Sequence, residues 1–167
     1  LVTDHGFTIV AVDADWPDAD QIDRCVRGRD KGDWHETAFT RFPTWMWRNT
    51  EVQRFTRWLS KHNQALAPDA RVEFRGLDVY SLRSSIREVL GYLEDTDPFM
   101  AREARQRYAC LTPWHNDPAL YGHYTERGGM ATCEGEVLEQ LQQLLNQRLA
   151  LMGRDGEALF NATQNAR

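Results

Sequence analysis

The sequence predicts a helix-rich α/β fold with few parallel strands joined by long helical crossovers. Residues 7–12 form a continuous apolar and β-branched run, typical of a strand buried on both faces. Residues 71–78 alternate in polarity and predict a second strand, and a long, mostly helical stretch separates the two. Because two strands make a poor sheet, we expect the sheet to be incomplete in this chain.

Proline positions, capping signals and apolar periodicity predict the helices. Pro17 opens a helix that Gly28 ends, and capping boxes begin others at Asp33, Thr50 and Ser85. The helical segments expected are 17–27, 33–42, 50–62, 85–93, 98–110, 132–153 and 157–167, with an irregular stretch over 111–129. The length of 167 residues predicts a single domain over 1–167.

Composition excludes several classes of function. Twenty Lys and Arg against 25 Asp and Glu give a net charge of −5, which argues against a nucleic-acid partner. No apolar run is long enough for a membrane span and no signal peptide opens the chain, so we expect no membrane partner and a cytoplasmic location. The odd set Cys25, Cys110 and Cys133 predicts buried free thiols rather than a disulfide or a zinc site.

Acidic and aromatic side chains follow both predicted strands. Asp13 and Asp15 end the first strand beside Trp16, and Asp78 ends the second, followed by Tyr80. Ligands of open parallel sheets bind beyond the carboxyl ends of the strands, and carboxylates gathered there suit acid–base work or a cation. The alternative is that Asp15 and Asp78 only cap helices.

Histidine spacing gives no sign of a metal site. No two histidines stand three or four residues apart, so we expect no metal and no cofactor. His115 and Asp117 could act together in the irregular stretch, although a lone loop histidine is more often a surface residue, and the same holds for His123.

The segment 41–50 crowds large aromatic side chains beside arginine. Trp45, Trp47 and Arg48 together suit a bulky, partly apolar ligand that carries oxygen acceptors. The composition fits equally well a helix junction buried in the core, with Arg48 paired to a carboxylate.

Three blocks in order resemble the erythromycin-esterase-like hydrolases. They are FTIVAVDADWPD over 7–18, RFPTWMWRN over 41–49 and FRGLDVYSLRSS over 74–85. The resemblance implies a metal-independent hydrolase with an α/β core, in which a histidine general base activates the water that opens a macrolide lactone or a similar ester. The substrate would be a small-molecule ester.

The resemblance also implies which catalytic groups this chain carries. The family's base histidine lies in a glycine-glutamate-alanine-threonine-histidine-glycine motif that would precede Leu1, and a further histidine pair would follow Arg167. We therefore expect a fragment of a larger catalytic domain, inactive in isolation. Asp13 stands where the family has a glutamate, and it is shorter by one methylene.

A chemical hypothesis follows for the intact enzyme. Asp13 would orient the water or the base histidine and stabilise the imidazolium. Arg48 would supply charge near the ester carbonyl, where the oxyanion develops. Trp16, Trp45 and Trp47 would form the walls of the cleft, and Asp15, Asp78 and Tyr80 would help to position the substrate.

Two other functions stay open. The chain could be a non-catalytic module for small-ligand binding or assembly that keeps the fold, or it could hydrolyse an acylated sugar or polymer instead. Unpaired strand edges and apolar faces also predict self-association into a dimer or a larger species.

Overall fold

The computed structural model describes residues 1–41, 44–114, 118–126, 132–147, 151 and 155–167. It contains a two-stranded parallel sheet in a largely helical chain, which confirms the predicted fold class. The chain divides into two compact units, Leu1–Val79 and Tyr80–Arg167. That both units belong to a single domain within a larger catalytic domain stays a prediction.

The first unit holds the sheet. Its elements in order are α1 Val2–His5, β1 Ile9–Asp15, α2 Trp16–Val26, α3 Trp34–Thr37, α4 Thr44–Trp47, α5 Thr50–Gln64, a 3-10 turn Pro68–Ala70 and β2 Glu73–Asp78. The helix predicted over 33–42 is wrong at 38–41, and residue 42 lies outside the described residues. Phe39 adopts a left-handed backbone with φ 52° because its ring is buried beside Trp34 and Trp47, so the chain turns there.

The two strands run parallel from Ile9 opposite Glu73 to Asp15 opposite Asp78, with an irregularity between Val12 and Asp15. Side chains alternate along β1. Val10 and Val12 turn toward the core formed with α2 and α5, whereas Ile9 on the other face is 55% exposed. The expectation that β1 is buried on both faces is therefore wrong for this unit, because its helices cover one face of the strand.

Side chains close the outer edge of β2. The Phe74 N–H donates to Asp23 Oδ1 at 2.8 Å, and the Val72 N–H donates to Asn63 Oδ1 at 2.8 Å. Asn63 Nδ2 in turn donates to the carbonyls of Val26 and Val72. Because these side chains occupy backbone groups at the start of β2, a further strand could pair there only by displacing them, whereas no such side-chain bonds are seen along β1 in the described residues.

The second unit is helical in its described part. Its elements are α6 Leu82–Thr96, α7 Pro98–Tyr108, a 3-10 segment Ala109–Trp114, α8 Pro118–Glu126, α9 Glu134–Asn146 and α10 Gly156–Asn165. Apolar residues of α6, α7, α9 and α10 form its core, among them Val89, Leu93, Met100, Ala104, Leu144 and Leu159. The irregular stretch predicted over 111–129 is wrong at 111–114 and 118–126, where Trp114 packs on Tyr121 at 6.0 Å between ring centroids.

Two predicted capping residues are displaced. Asn49 rather than Thr50 caps α5, and its Oδ1 accepts from the Val52 N–H at 2.9 Å. α6 begins at Leu82, so Ser85 is a buried residue inside the helix. The pattern Ser/Thr-x-x-Glu/Gln also occurs within helices, and in α5 the preceding asparagine supplies the cap.

The cysteines differ from the prediction of three free thiols. Cys110 and Cys133 form a disulfide between the 3-10 segment and the start of α9, with Cα atoms 6.0 Å apart, and Cys25 is free. Spacing could not detect this pair, because 23 residues separate the two cysteines in the sequence. No group of three or more potential metal ligands occurs among the described residues. None of the helices in the described ranges combines the length and apolar character needed to cross a membrane.

Candidate functional site

The carboxyl ends of the two strands meet, as the sequence predicted. Asp15 and Asp78 are register partners across the sheet, and Asp13 lies two residues before Asp15 on β1. Asp13 and Asp78 are exposed, whereas Asp15 is completely buried. Three carboxylates therefore lie at the carboxyl end of the sheet, which we call the acidic edge, and two of them are open to solvent.

A backbone irregularity in β1 affects the direction in which these side chains point. Val12 and Asp15 are three residues apart, but their partners Gly76 and Asp78 are two apart, so β1 carries one extra residue. A Cβ at Gly76 would lie 2.6 Å from the Ala14 carbonyl oxygen, so only glycine permits this close approach. Asp13 keeps the outward position that it has in the regular alternation of β1, and the extra residue breaks this alternation so that Asp15 turns inward.

The helix-capping alternative fits the strand ends poorly. Asp15 occupies the N-cap position of α2, but its side chain forms no capping hydrogen bond. Asp78 Oδ1 accepts from the N–H of its neighbour Val79 at 2.9 Å, which is a local turn contact rather than a helix cap.

A buried arginine, which sequence reasoning missed, lies behind the strand ends. Arg75 Nη1 lies 3.5 Å from Asp20 Oδ1 and 3.6 Å from Asp23 Oδ2, and its Nε donates to Glu73 at 2.8 Å. Its guanidinium also lies 5.8 Å from the centroid of the Trp16 ring. Arg75 thus fixes the first residue of α2 beside the acidic edge. The sequence signal that could have revealed Arg75 was a charged residue between apolar positions within a predicted strand.

The tryptophan-rich segment is held by a separate set of contacts. Arg48 Nη2 donates to the His35 carbonyl at 2.8 Å, and the Trp47 ring packs on Phe39 at 5.9 Å. Trp45 is 67% exposed. The alternative interpretation pairs Arg48 with a carboxylate, but the bond seen among the described residues goes to a backbone carbonyl of α3.

The remaining sequence candidates lie elsewhere. Tyr80 begins the second unit with an exposed side chain, and His123 is exposed on α8. Residues 42–43 of the tryptophan-rich block, as well as His115 and Asp117, lie outside the described residues.

Comparison with known proteins identifies the family. The chain aligns with a Bacillus cereus protein of known crystal structure at 19% identity and a TM-score of 0.74, covering 100% of this chain and 39% of that one. A crystal structure described as a succinoglycan biosynthesis protein aligns at 17% identity and a TM-score of 0.67, covering 99% of this chain and 40% of that one. These likenesses establish the fold, and the chain spans about two fifths of either structure. The model of the family described as erythromycin esterase matches residues 2–167. The chain therefore belongs to the erythromycin esterase family.

Proposed function

We propose that this chain carries the acidic strand end of a carboxylic ester hydrolase that opens a macrolide lactone or a similar ester with histidine-activated water. The observation that supports this most is the exposed Asp13 near the carboxyl end of β1, where the family resemblance implies a glutamate. The alternation of β1 turns Asp13 outward, and the close approach at Gly76 fixes the backbone that follows it.

The proposed chemistry is a general-base hydrolysis. Water attacks the ester carbonyl carbon as the base histidine takes its proton, and the leaving alkoxide then receives a proton as the carbon–oxygen bond breaks. Asp13 orients the histidine or the water and stabilises the imidazolium. The family resemblance implies that this histidine lies in a segment before Leu1, so the proposed reaction requires a protein that includes that segment.

Arg48 has the chemistry to stabilise the developing oxyanion. Its guanidinium has five N–H donors, so the bond to the His35 carbonyl leaves others for a ligand. Trp45 and Trp47 would then offer apolar surface to the body of the substrate, with Trp16, Asp15, Asp78 and Tyr80 helping to position it.

Substitution of Asp13 tests this function in a protein that also carries the upstream histidine motif. Asp13→Asn should lower kcat on the order of a hundredfold or more, since the charge that orients the base is lost. Asp13→Glu should retain turnover, because it restores the family's residue. Mass spectrometry reads hydrolysis as the gain of one water by the lactone of erythromycin, and as the release of a carboxylic acid and an alcohol from simple acyl esters and from acetylated glucose. The last substrate tests the acylated-sugar alternative, to which the name of the succinoglycan-related structure adds weight.

The control is Asp69→Asn in the exposed 3-10 turn before β2, which should leave turnover unchanged. All three variants should keep the parent melting temperature, because both aspartates are exposed. Full turnover by the Asp13→Asn variant would refute the assignment of Asp13.

Assembly is the second candidate function, and the open side of the sheet favours it. Phe7, Ile9 and Leu77 are exposed, and β1 has the edge that a second copy of this chain could extend. A dimer or larger species in sedimentation experiments, converted to monomer by Ile9→Lys, would support it. A monomer at all concentrations would refute it.

A further inference from the structure

A cleft of about 540 Å³ lies in the first unit, between the end of α2 and one face of α5. α2 runs back from the strand ends for 11 residues, or about 16 Å at 1.5 Å per residue. Asn63 joins the carbonyl of Val26, the last residue of α2, to Val72 just before β2. The cleft therefore lies toward the amino-terminal end of the sheet, about one helix length from Asp13.

Polar side chains of α5 form one wall. Gln53, Ser60 and Gln64 recur at helical spacing and all line the cleft. Each carries an amide or a hydroxyl, which can both donate and accept hydrogen bonds. This face of α5 therefore offers a column of neutral hydrogen-bonding groups along the helix.

The loop after α2 forms the opposite wall and is held in place by its own bonds. Asp30 Oδ1 accepts from the Gly32 N–H at 2.9 Å, and Asp33 Oδ1 accepts from the His35 N–H at 3.0 Å. The Cys25 thiol donates to the Gly32 carbonyl at 3.3 Å. A ligand entering the cleft would meet a wall that is already ordered, which lowers the entropic cost of binding.

The charges of the lining balance. The carboxylates of Asp30 and Asp33 face a cleft that is also lined by Lys31 and Arg57. Equal numbers of acidic and basic groups give no net attraction for an anion or a cation, while every one of them can hydrogen-bond a hydroxyl.

The free thiol in the cleft is unsuited to covalent chemistry. Burial, reinforced by the negative charge of Asp30, raises the pKa of Cys25 above its usual value. The thiol therefore stays protonated near neutral pH, and a thiol is a poor nucleophile compared with a thiolate. The chemistry of the cleft favours reversible binding.

We propose that this cleft binds a neutral, polyhydroxylated small molecule of the size of a mono- or disaccharide. Trp34, the buried aromatic residue of the lining, supplies apolar surface, and the surrounding amides, hydroxyls and charged groups supply hydrogen bonds. The inference does not depend on ester hydrolysis, because none of the residues assigned to that reaction lines the cleft.

Calorimetric titration of the 167-residue chain with maltose, glucose and gluconate tests the proposal. Maltose or glucose should bind, and gluconate should bind no tighter than glucose because the lining has no net charge. Ser60→Leu, which replaces a hydroxyl of the lining with a larger apolar group, should weaken sugar binding by about tenfold or more. Gln64→Ala is a milder, exposed substitution that should weaken it measurably, and Lys61→Ala on the same helix is the control.

Alkylation gives an independent readout at the site. Iodoacetamide should modify Cys25 more slowly in saturating maltose, as measured by mass spectrometry of the Cys25 peptide. The proposal is overturned if neither sugar binds up to its solubility limit. It is equally overturned if binding is unchanged in both the Ser60→Leu and Gln64→Ala variants, since the sugar would then lie elsewhere.

Discussion

Each of the two units is stabilised internally by a different kind of contact. In the first, α2 and β2 meet through buried charged groups, with Asp23, Arg27 and Arg75 almost completely excluded from solvent. In the second, apolar side chains such as Leu93 and Leu144 fill the core between helices. The charged contacts between α2 and β2 depend on direction and on pairing. The contacts in the second unit depend on the volume that apolar side chains fill.

The difference is explained by the need of the first unit to hold particular side chains in position. Buried ion pairs cost desolvation energy that is recovered only when every partner is present, so they add little net stability. What they supply here is geometry: Asp23 closes the edge of β2, and Arg75 fixes Trp16 beside the acidic strand ends. Apolar packing supplies stability with less control of orientation.

Asp23→Ala should produce the largest effect on stability. It leaves Arg27 without its buried counter-charge, removes one of the two buried carboxylates beside Arg75 and removes the acceptor of the Phe74 N–H. Loss of one partner of a buried pair costs about 3–5 kcal/mol in the free energy of unfolding. Urea denaturation followed by tryptophan fluorescence measures it.

Arg87→Ala is the matched control, because Arg87 pairs with Glu88 at the surface of α6. Its expected cost is below about 1 kcal/mol. If both variants lost equally little, the buried charges of the first unit would not determine its stability.

Leu93→Ala should cost less, about 3 kcal/mol, by opening a cavity in the apolar core of the second unit. Leu93→Met nearly conserves the volume and should cost below about 1.5 kcal/mol. Circular dichroism during urea denaturation reports the loss of helix. A cost for Leu93→Met as large as that for Leu93→Ala would show that shape rather than volume governs this core.

The sequence was informative where a local signal decides the structure. A proline after an acidic strand end predicted α2. A continuous apolar, β-branched run predicted the first strand and alternating polarity predicted the second, and the two pair in parallel with their carboxyl ends together. The family blocks pointed to the same acidic edge. In each case neighbouring residues carry the physical cause, so a pattern in the chain is sufficient.

The sequence failed where distant residues decide. The Cys110–Cys133 disulfide and the contacts of Arg75 with Asp20 and Asp23 join positions far apart in the chain, so spacing carries no sign of them. The turn at Phe39 depends on rings on either side of it, which override the helical capping signal at Asp33. The acidic site was therefore predictable, but the buried charges that position it were not.

The smallest effect on stability near neutral pH is expected from the buried phenol of Tyr108 in the second unit. Burial raises the pKa of Tyr108 from 10.0 to about 12, because the phenolate would be poorly solvated in the apolar core. Below pH 10 the phenol is protonated in both the folded and unfolded states, so its contribution to stability is fully present. As the pH rises toward about 12, the unfolded chain releases the proton first, and up to about 3 kcal/mol of stability is lost.

Urea denaturation between neutral pH and pH 12 measures this loss, and Tyr108→Phe is its control because phenylalanine has no proton to release. The variant should lose stability less steeply with pH across the same range, while absorbance titration of tyrosinate should lack the late-ionising group. The first unit contributes no tyrosine to this titration, since all five lie in the second. If stability fell equally steeply with pH in the two proteins, Tyr108 would ionise without opening the helical core. That core would then tolerate an unpaired charge, whereas the buried charges of the first unit are paired.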